Sequence, residues 1–220
     1  MALKIFHLHA PLKIDVMPVV KKAIPKLGKS VAVVTTIQHK KTMDDVRQAL
    51  EDAGRQVTIY GNILGCMSPK GMPEDSVLYV GTGKFHPMGV KLRSGQDVVC
   101  ADPMTGEVTL LDHKTIDTVE RRKRGALAKF YASDTIGVLI SVKSGQKTVQ
   151  TSLSRIYAIK EKYPDKKFYF FGCNTLDFSE LENFPFIEVW VNTMCPRVGL
   201  DDNEKFKKGV VNIEDIQEFA

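Results

Sequence analysis

Short apolar runs rich in β-branched residues alternate along the chain with stretches whose apolar positions recur every three or four residues. Val31-Ala-Val-Val-Thr-Thr-Ile has the pattern of a buried strand. The amphipathic stretch from Thr42 to Ala53 follows it as a helix, with Gly54 as its stop. Val57-Thr-Ile-Tyr, Ser76-Val-Leu-Tyr-Val and Asp97-Val-Val-Cys-Ala read as three further strands. The second half repeats the theme: Ile136-Gly-Val-Leu-Ile is a strand, Val149 to Lys162 a helix and Lys167-Phe-Tyr-Phe-Phe a strand. Phe186-Ile-Glu-Val-Trp-Val and Val210-Val-Asn-Ile complete the set. Strands alternating with helices imply parallel βαβ units. The expected fold class is therefore α/β.

The halves can be laid over each other. Val31 matches Ile136, Val57 matches Phe168, Leu78 matches Val189 and Val98 matches Val210, an offset of 105 to 112 residues. That period is too long for a solenoid and predicts two homologous small parallel-sheet domains with flanking helices. The expected layout is an N-terminal linker segment over 1–29, a first domain over 30–110, a helical connector over 111–134 and a second domain over 135–220. The linker holds a strand pattern from Leu3 to Leu8 and a helix pattern from Val16 to Lys26, interrupted by Pro18 and Pro25.

Composition narrows the class. Of the 220 residues 43% are hydrophobic and 26% charged, which excludes a disordered, coiled-coil or collagenous chain. No apolar run reaches the roughly 20 residues of a membrane span, and Met1-Ala-Leu-Lys-Ile-Phe-His has no signal-peptide pattern. A cytoplasmic, reducing location is expected, so the four Cys are read as thiols. The net charge of +5 is mild and argues for no particular partner. The basic run Arg121-Arg-Lys-Arg reads first as a solvated helix face, and without interleaved aromatic residues it gives no case for direct nucleic-acid binding.

The chemistry-bearing residues gather where α/β folds place ligands, in loops after parallel strands. Cys66 follows a strand within Asn62-Ile-Leu-Gly-Cys-Met-Ser-Pro, and Cys195 follows the most apolar strand of the second half, within Val191-Asn-Thr-Met-Cys-Pro-Arg. Arg197 could there hold a carboxylate or favour a thiolate. Cys100 is read as buried mid-strand, and Cys173, just after a strand, as the repeat counterpart of Cys66. No C-x-x-C pair exists, so the residues alone leave two readings open: small buried hydrophobes, or metal ligands converging from separate domains. Gly81-Thr-Gly-Lys-Phe-His-Pro-Met-Gly matches neither nucleotide-loop motif, though a glycine turn lets backbone N–H groups approach a ligand. Pro87 is expected to hold His86 in an extended loop. Gln38 and Gln146 occupy matching positions after strands, either solvating helix starts or facing a shared cleft. His7 and His9 read as surface or strand residues, and His113 carries no signal.

Taken together, Val34-Thr-Thr-Ile-Gln-His, Leu64-Gly-Cys, Gly83-Lys-Phe-His-Pro-Met-Gly, Asp102-Pro-Met-Thr-Gly-Glu, Arg121-Arg-Lys-Arg, Ser144-Gly-Gln and Val191-Asn-Thr-Met-Cys-Pro-Arg-Val-Gly-Leu-Asp-Asp resemble one family. This is the diphthamide-synthesis 2-(3-amino-3-carboxypropyl)histidine synthase family of non-canonical radical enzymes. The resemblance implies a transferase with a 4Fe–4S cluster held by one Cys from each of three homologous domains, its fourth iron open to S-adenosylmethionine. The sulfur-to-γ-carbon bond is cleaved and the 3-amino-3-carboxypropyl group passes to a histidine of elongation factor 2. By motif, Cys66 and Cys195 are the catalytic cluster ligands. Gln38, His39, Gly83, His86, Pro87, Gly89, Gln146, Arg197 and Asp201 would line the S-adenosylmethionine pocket, with Arg197 suited by charge to the carboxylate and an Asp to the amino group. The motifs begin at the second of the three domains. The third cluster Cys is therefore expected from a separate chain, with Cys173 the better internal substitute and Cys100 the poorer. Pairing as a homo- or heterodimer is implied by the resemblance. The rival expectation is a non-catalytic ligand-binding or scaffold subunit that partners an active synthase chain.

Overall fold

The structure, a computed structural model, describes residues 10–63, 71–111, 113–143 and 149–219. The strand pattern from Leu3 to Leu8 lies outside these residues, as do Cys66 and Gln146. The chain divides into two compact units, Met1–Ile116 and Asp117–Ala220.

The first unit runs α1 (Met17–Ala23), β1 (Ser30–Thr35), α2 (Met43–Asp52), β2 (Gln56–Asn62), β3 (Ser76–Val80), α3 (Phe85–Ser94), β4 (Val98–Asp102) and β5 (Glu107–Leu110), and ends in the first turn of α4 (His113–Ala132). Its sheet has the order β2-β1-β3-β4-β5. The first four strands are parallel, and β5 returns antiparallel on β4. β1 and β3 are buried on both faces, which is why they read as unbroken apolar runs rather than alternating ones. On one face Val31, Val33, Leu78 and Val99 pack with Val19 and Val20 of α1 and Val46 and Leu50 of α2. On the other, Ala32, Val34, Val77 and Tyr79 pack with Val90 of α3.

The second unit continues through α4 and then β6 (Thr135–Ser141), α5 (Val149–Lys162), β7 (Lys167–Cys173), β8 (Val189–Asn192), α6 (Arg197–Leu200), β9 (Val210–Asn212) and α7 (Ile213–Phe219). Its sheet, β7-β6-β8-β9, is parallel throughout. Phe130 of α4, Ile156 of α5 and Ile216 of α7 close one face, and Trp190, Leu181 and Phe206 fill the other. Gly137 lies beneath Trp190, where a Cβ would run into the indole ring.

The two sheets share one strand order, with β1 to β4 matched by β6 to β9. Val31 pairs with Val57 as Ile136 pairs with Phe168. The third strand corrects the sequence overlay: Val33 pairs with Leu78 and Val138 with Val191, so Leu78 corresponds to Val191 and not to Val189. The two units also share a fastening at the amino ends of their strands. Asp75, just before β3, accepts the Ser30 N–H at 2.9 Å, and Glu188, just before β8, accepts the Asp134 and Thr135 N–H groups, each at 2.7 Å. These bonds hold both carboxyls below their ordinary pKa range.

The expected extended loop at His86 is corrected. Phe85, His86 and Pro87 form the first turn of α3, where proline is tolerated because its missing N–H has no helical partner to lose. Cys173 is the last residue of β7, not a residue beyond it. It pairs with Ser141, one step past the Ile140–Gly172 pair, which corresponds to Thr35–Asn62. Its counterpart by register is Ile63, not Cys66, even with the one extra residue that β2 carries opposite Val33 and Val34 and that β7 lacks.

Candidate functional site

Cys195 is exposed, in the turn that carries the chain from β8 into α6. The turn is held from below by two asparagines buried at the ends of adjacent parallel strands. Asn192 Nδ2 donates to the Cys195 carbonyl at 3.0 Å and to Asn212 Oδ1 at 2.7 Å, while its Oδ1 accepts the Met194 N–H at 3.1 Å. Asn212 Nδ2 in turn donates to the Pro196 carbonyl at 3.2 Å. The thiol thus stands on a main chain fixed by side-chain amides, since a buried amide left without partners is costly. Gly199 lets α6 approach closely, because a Cβ there would collide with the Asn212 amide.

Arg197 Nε donates to Asp201 Oδ2 at 2.7 Å, so two of the residues expected to line the pocket are bound to one another. The Cys173 thiol sits 3.8 Å from the Ile140 carbonyl and 3.6 Å from Met194 Sδ, packed against apolar side chains. Burial raises its pKa, which disfavours the thiolate a metal needs. Cys100 is only half-buried and lies inside β4, where burial pushes its thiol to about 11.

In the first unit Gln38 is exposed on the 3₁₀ turn that follows β1, and His39 beside it is 2% exposed. Among the described residues His39 Nδ1 has no hydrogen-bond partner. Burial lowers its pKa, an effect the nearby Asp102 carboxylate opposes. The ring of His86 stacks on Tyr79, with centroids 6.3 Å apart. Gly83 adopts the left-handed conformation (φ 75°) in the turn before α3, whereas Pro87 and Gly89 belong to the helix itself. Among the described residues no set of three His, Cys, Asp or Glu side chains is arranged to hold a metal ion. Sequence reasoning missed the Asn192–Asn212 pair, although each interrupts an apolar strand run with an amide. Lys84, within the Gly83–Gly89 motif, and Glu107, the end of the Asp102–Glu107 motif, share a cleft with Cys100 and Asp102.

A family model described as "Putative diphthamide synthesis protein" matches residues 1–218. The chain belongs to this family. It is 29% identical to 2-(3-amino-3-carboxypropyl)histidine synthase from Pyrococcus horikoshii over 88% of this chain and 58% of that protein. Identity to subunit 1 of the Neurospora crassa synthase is also 29%, over 79% of this chain and 41% of that one. The crystal structure of Dph2 from Pyrococcus horikoshii superimposes with a TM-score of 0.81 at 27% identity, covering 94% of this chain and 63% of that one. A second structure of that protein, with a 4Fe-4S cluster, matches equally well. The chain therefore spans less than two thirds of the length of these relatives. No helix among the described residues is long and apolar enough to cross a membrane.

Proposed function

We propose that this diphthamide-family chain works as a 4Fe–4S-dependent 3-amino-3-carboxypropyl transferase, with S-adenosylmethionine as donor and a histidine of elongation factor 2 as acceptor, in the cytoplasm. The observation that carries the reading is the exposed Cys195 thiol on its amide-braced turn at the carboxyl end of a parallel sheet. An open thiolate on a fixed main chain is the donor an iron–sulfur cluster requires. Cys195 and Cys66 would be two of the cluster ligands, with the third from a separate chain. Cys173, apolar in surroundings and raised in pKa, is the less suited donor. When bound, the cluster supplies the one-electron chemistry that releases the 3-amino-3-carboxypropyl group. The chain's own part is to hold Cys195 in place through Asn192 and Asn212 and to keep Arg197 against Asp201 in the helix that follows.

The test is anaerobic reconstitution with iron and sulfide, followed by turnover with S-adenosylmethionine, a reductant and elongation factor 2. Each step is run with and without a second family chain that spans the family's first domain. Cluster absorbance that Cys195→Ser abolishes, with product formed, supports the proposal. Loading without turnover under both conditions would favour the non-catalytic subunit. No loading under either condition overturns the cluster reading.

A further inference from the structure

β7 is an edge strand of the second sheet. Its end residues turn inward: the Lys167 N–H donates to the Asp134 carbonyl at 2.7 Å, and the Cys173 carbonyl accepts the Val142 N–H at 3.0 Å. Alternate residues of a strand direct their main-chain groups to opposite sides. Those of Phe168, Phe170 and Gly172 therefore point out of the sheet, where no strand pairs with them among the described residues. Aromatic side chains flank this row on both faces. Phe170 meets Tyr157 of α5 on one, with ring centroids 5.9 Å apart, and Tyr169 meets Phe186 on the other, at 4.9 Å. Tyr157 and Phe186 are nonetheless 49% and 48% exposed, and Tyr169 and Phe170 39% each. Edge strands are ordinarily blunted by charge, proline or a bulge, and β7 has none of these after Lys167. The corresponding edge of the first unit does: β2 is bulged and turns Gln56, Thr58 and Asn62 to solvent.

We propose that β7 is a self-pairing edge, on which a second copy of this chain adds its own β7 antiparallel about a two-fold axis through Phe170. That register sets Phe170 against its own copy and Phe168 against Gly172, so all three outward-facing residues gain a main-chain partner. It sets Tyr169 against Phe171, an aromatic cross-strand pair on the face that Phe184 and Phe186 already line. Lys167, the strand's one charged residue, falls opposite Cys173, so the copies meet without like charges in contact. A charged partner finds no complementary group along this strip, whereas the strip complements itself. At roughly 200 Å² per aromatic side chain, the four rings offer about 350 Å² per copy at these exposures. Two copies bring about 700 Å² before the strand main chain is added, against the roughly 1,000 Å² of a small specific interface. The pair is therefore of the weak, reversible class. It rests on the strand alone and needs neither cluster nor donor.

The experiment is sedimentation of the whole chain across the micromolar range, where the parent should pass reversibly from one copy to two. Phe170→Lys sets two ammonium groups against each other and should raise the half-association concentration by about tenfold or more. Tyr157→Ser combined with Phe186→Ser leaves the strand itself intact and should weaken pairing in the same direction. Thr58→Lys, on the matching edge of the first unit, should not move it. Urea midpoints show which variants are folded. Mild oxidation of Phe170→Cys should crosslink two copies through the substituted position, because facing residues of such a pair lie about 5.5 Å apart, within disulfide reach. Two copies, sensitive to these changes and crosslinked there, support the proposal. A parent that stays single, association that the folded β7 variants leave unchanged, growth beyond two copies, or crosslinks confined to native cysteines overturns it. So does a parent that stays single yet takes up a second family chain on the same edge. Cluster loading through Cys195 is read separately by absorbance, so loss of either reading leaves the other standing.

Discussion

Asn192 and Asn212, buried on neighbouring parallel strands, are joined side chain to side chain at 2.7 Å and together hold the carbonyls of Cys195 and Pro196. The exposed thiol and the sheet core are therefore mechanically connected. Asn212→Leu removes one member and leaves a buried donor of Asn192 without its partner. The expected loss is about 1–3 kcal/mol of unfolding free energy, measured by urea titration, with faster Cys195 alkylation in the native state.

The two cysteines of the second unit should separate stability from cluster loading. Cys195→Ser is expected to leave the unfolding midpoint unchanged, because the side chain is exposed, while removing cluster absorbance. Cys173→Ala should lose its contact with Met194 and cost about 1 kcal/mol, yet load as the parent does. Loss of colour in the Cys173 variant would show that it, and not a partner's residue, completes the ligand set.

His39 makes a prediction about pH. Burial holds its pKa below the ordinary 6.5, so the unfolded chain takes up the proton first as pH falls. Its effect is absent above pH 6.5, and stability then declines from 6.5 down through the lowered folded value. Asp75 and Glu188 act later: their stabilisation is present above the ordinary carboxylate range and is lost as pH falls through their depressed values. Urea midpoints of the parent and His39→Gln across this range should differ in slope in the first window and run parallel in the second.

Gly137→Ala and Gly125→Ala form a matched pair. The first drives a methyl group into the Trp190 ring and is expected to cost about 1–3 kcal/mol. The second adds a methyl with no atom within 4 Å, inside α4, and should stabilise by about 0.5–1 kcal/mol through helix propensity. Thermal unfolding of both variants checks the sign of each.

The strands were legible because burial on both faces leaves continuous apolar runs, and β1, β3, β6 and β8 carry that signature. The same continuity hid the register. With no polar position to mark a face, the overlay of Leu78 slipped by two residues, a step that keeps the face and breaks no pattern. α3 was hidden because glycines and Pro87 look like breakers until the proline is seen within a first turn. β5 has four residues and a single half-buried position, too little for a periodic signal. Of the site, Cys195 was readable as a thiol in a proline turn after an apolar strand. Which amide would support it was not, because Asn192 and Asn212 meet only through strand pairing across 20 residues of sequence.

The acid before the third strand in each unit ties the amino-terminal rim of its sheet to main-chain N–H groups, with no help from the loops at the opposite rim. Each unit is thus fastened at one end and open to revision at the other. The turns that carry Cys195 or Lys84 can be rewritten, in the laboratory or by descent, without unpicking the latch that starts the sheet. The loop set, rather than the sheet of apolar strands, is where two copies of one scaffold have room to acquire different chemistry.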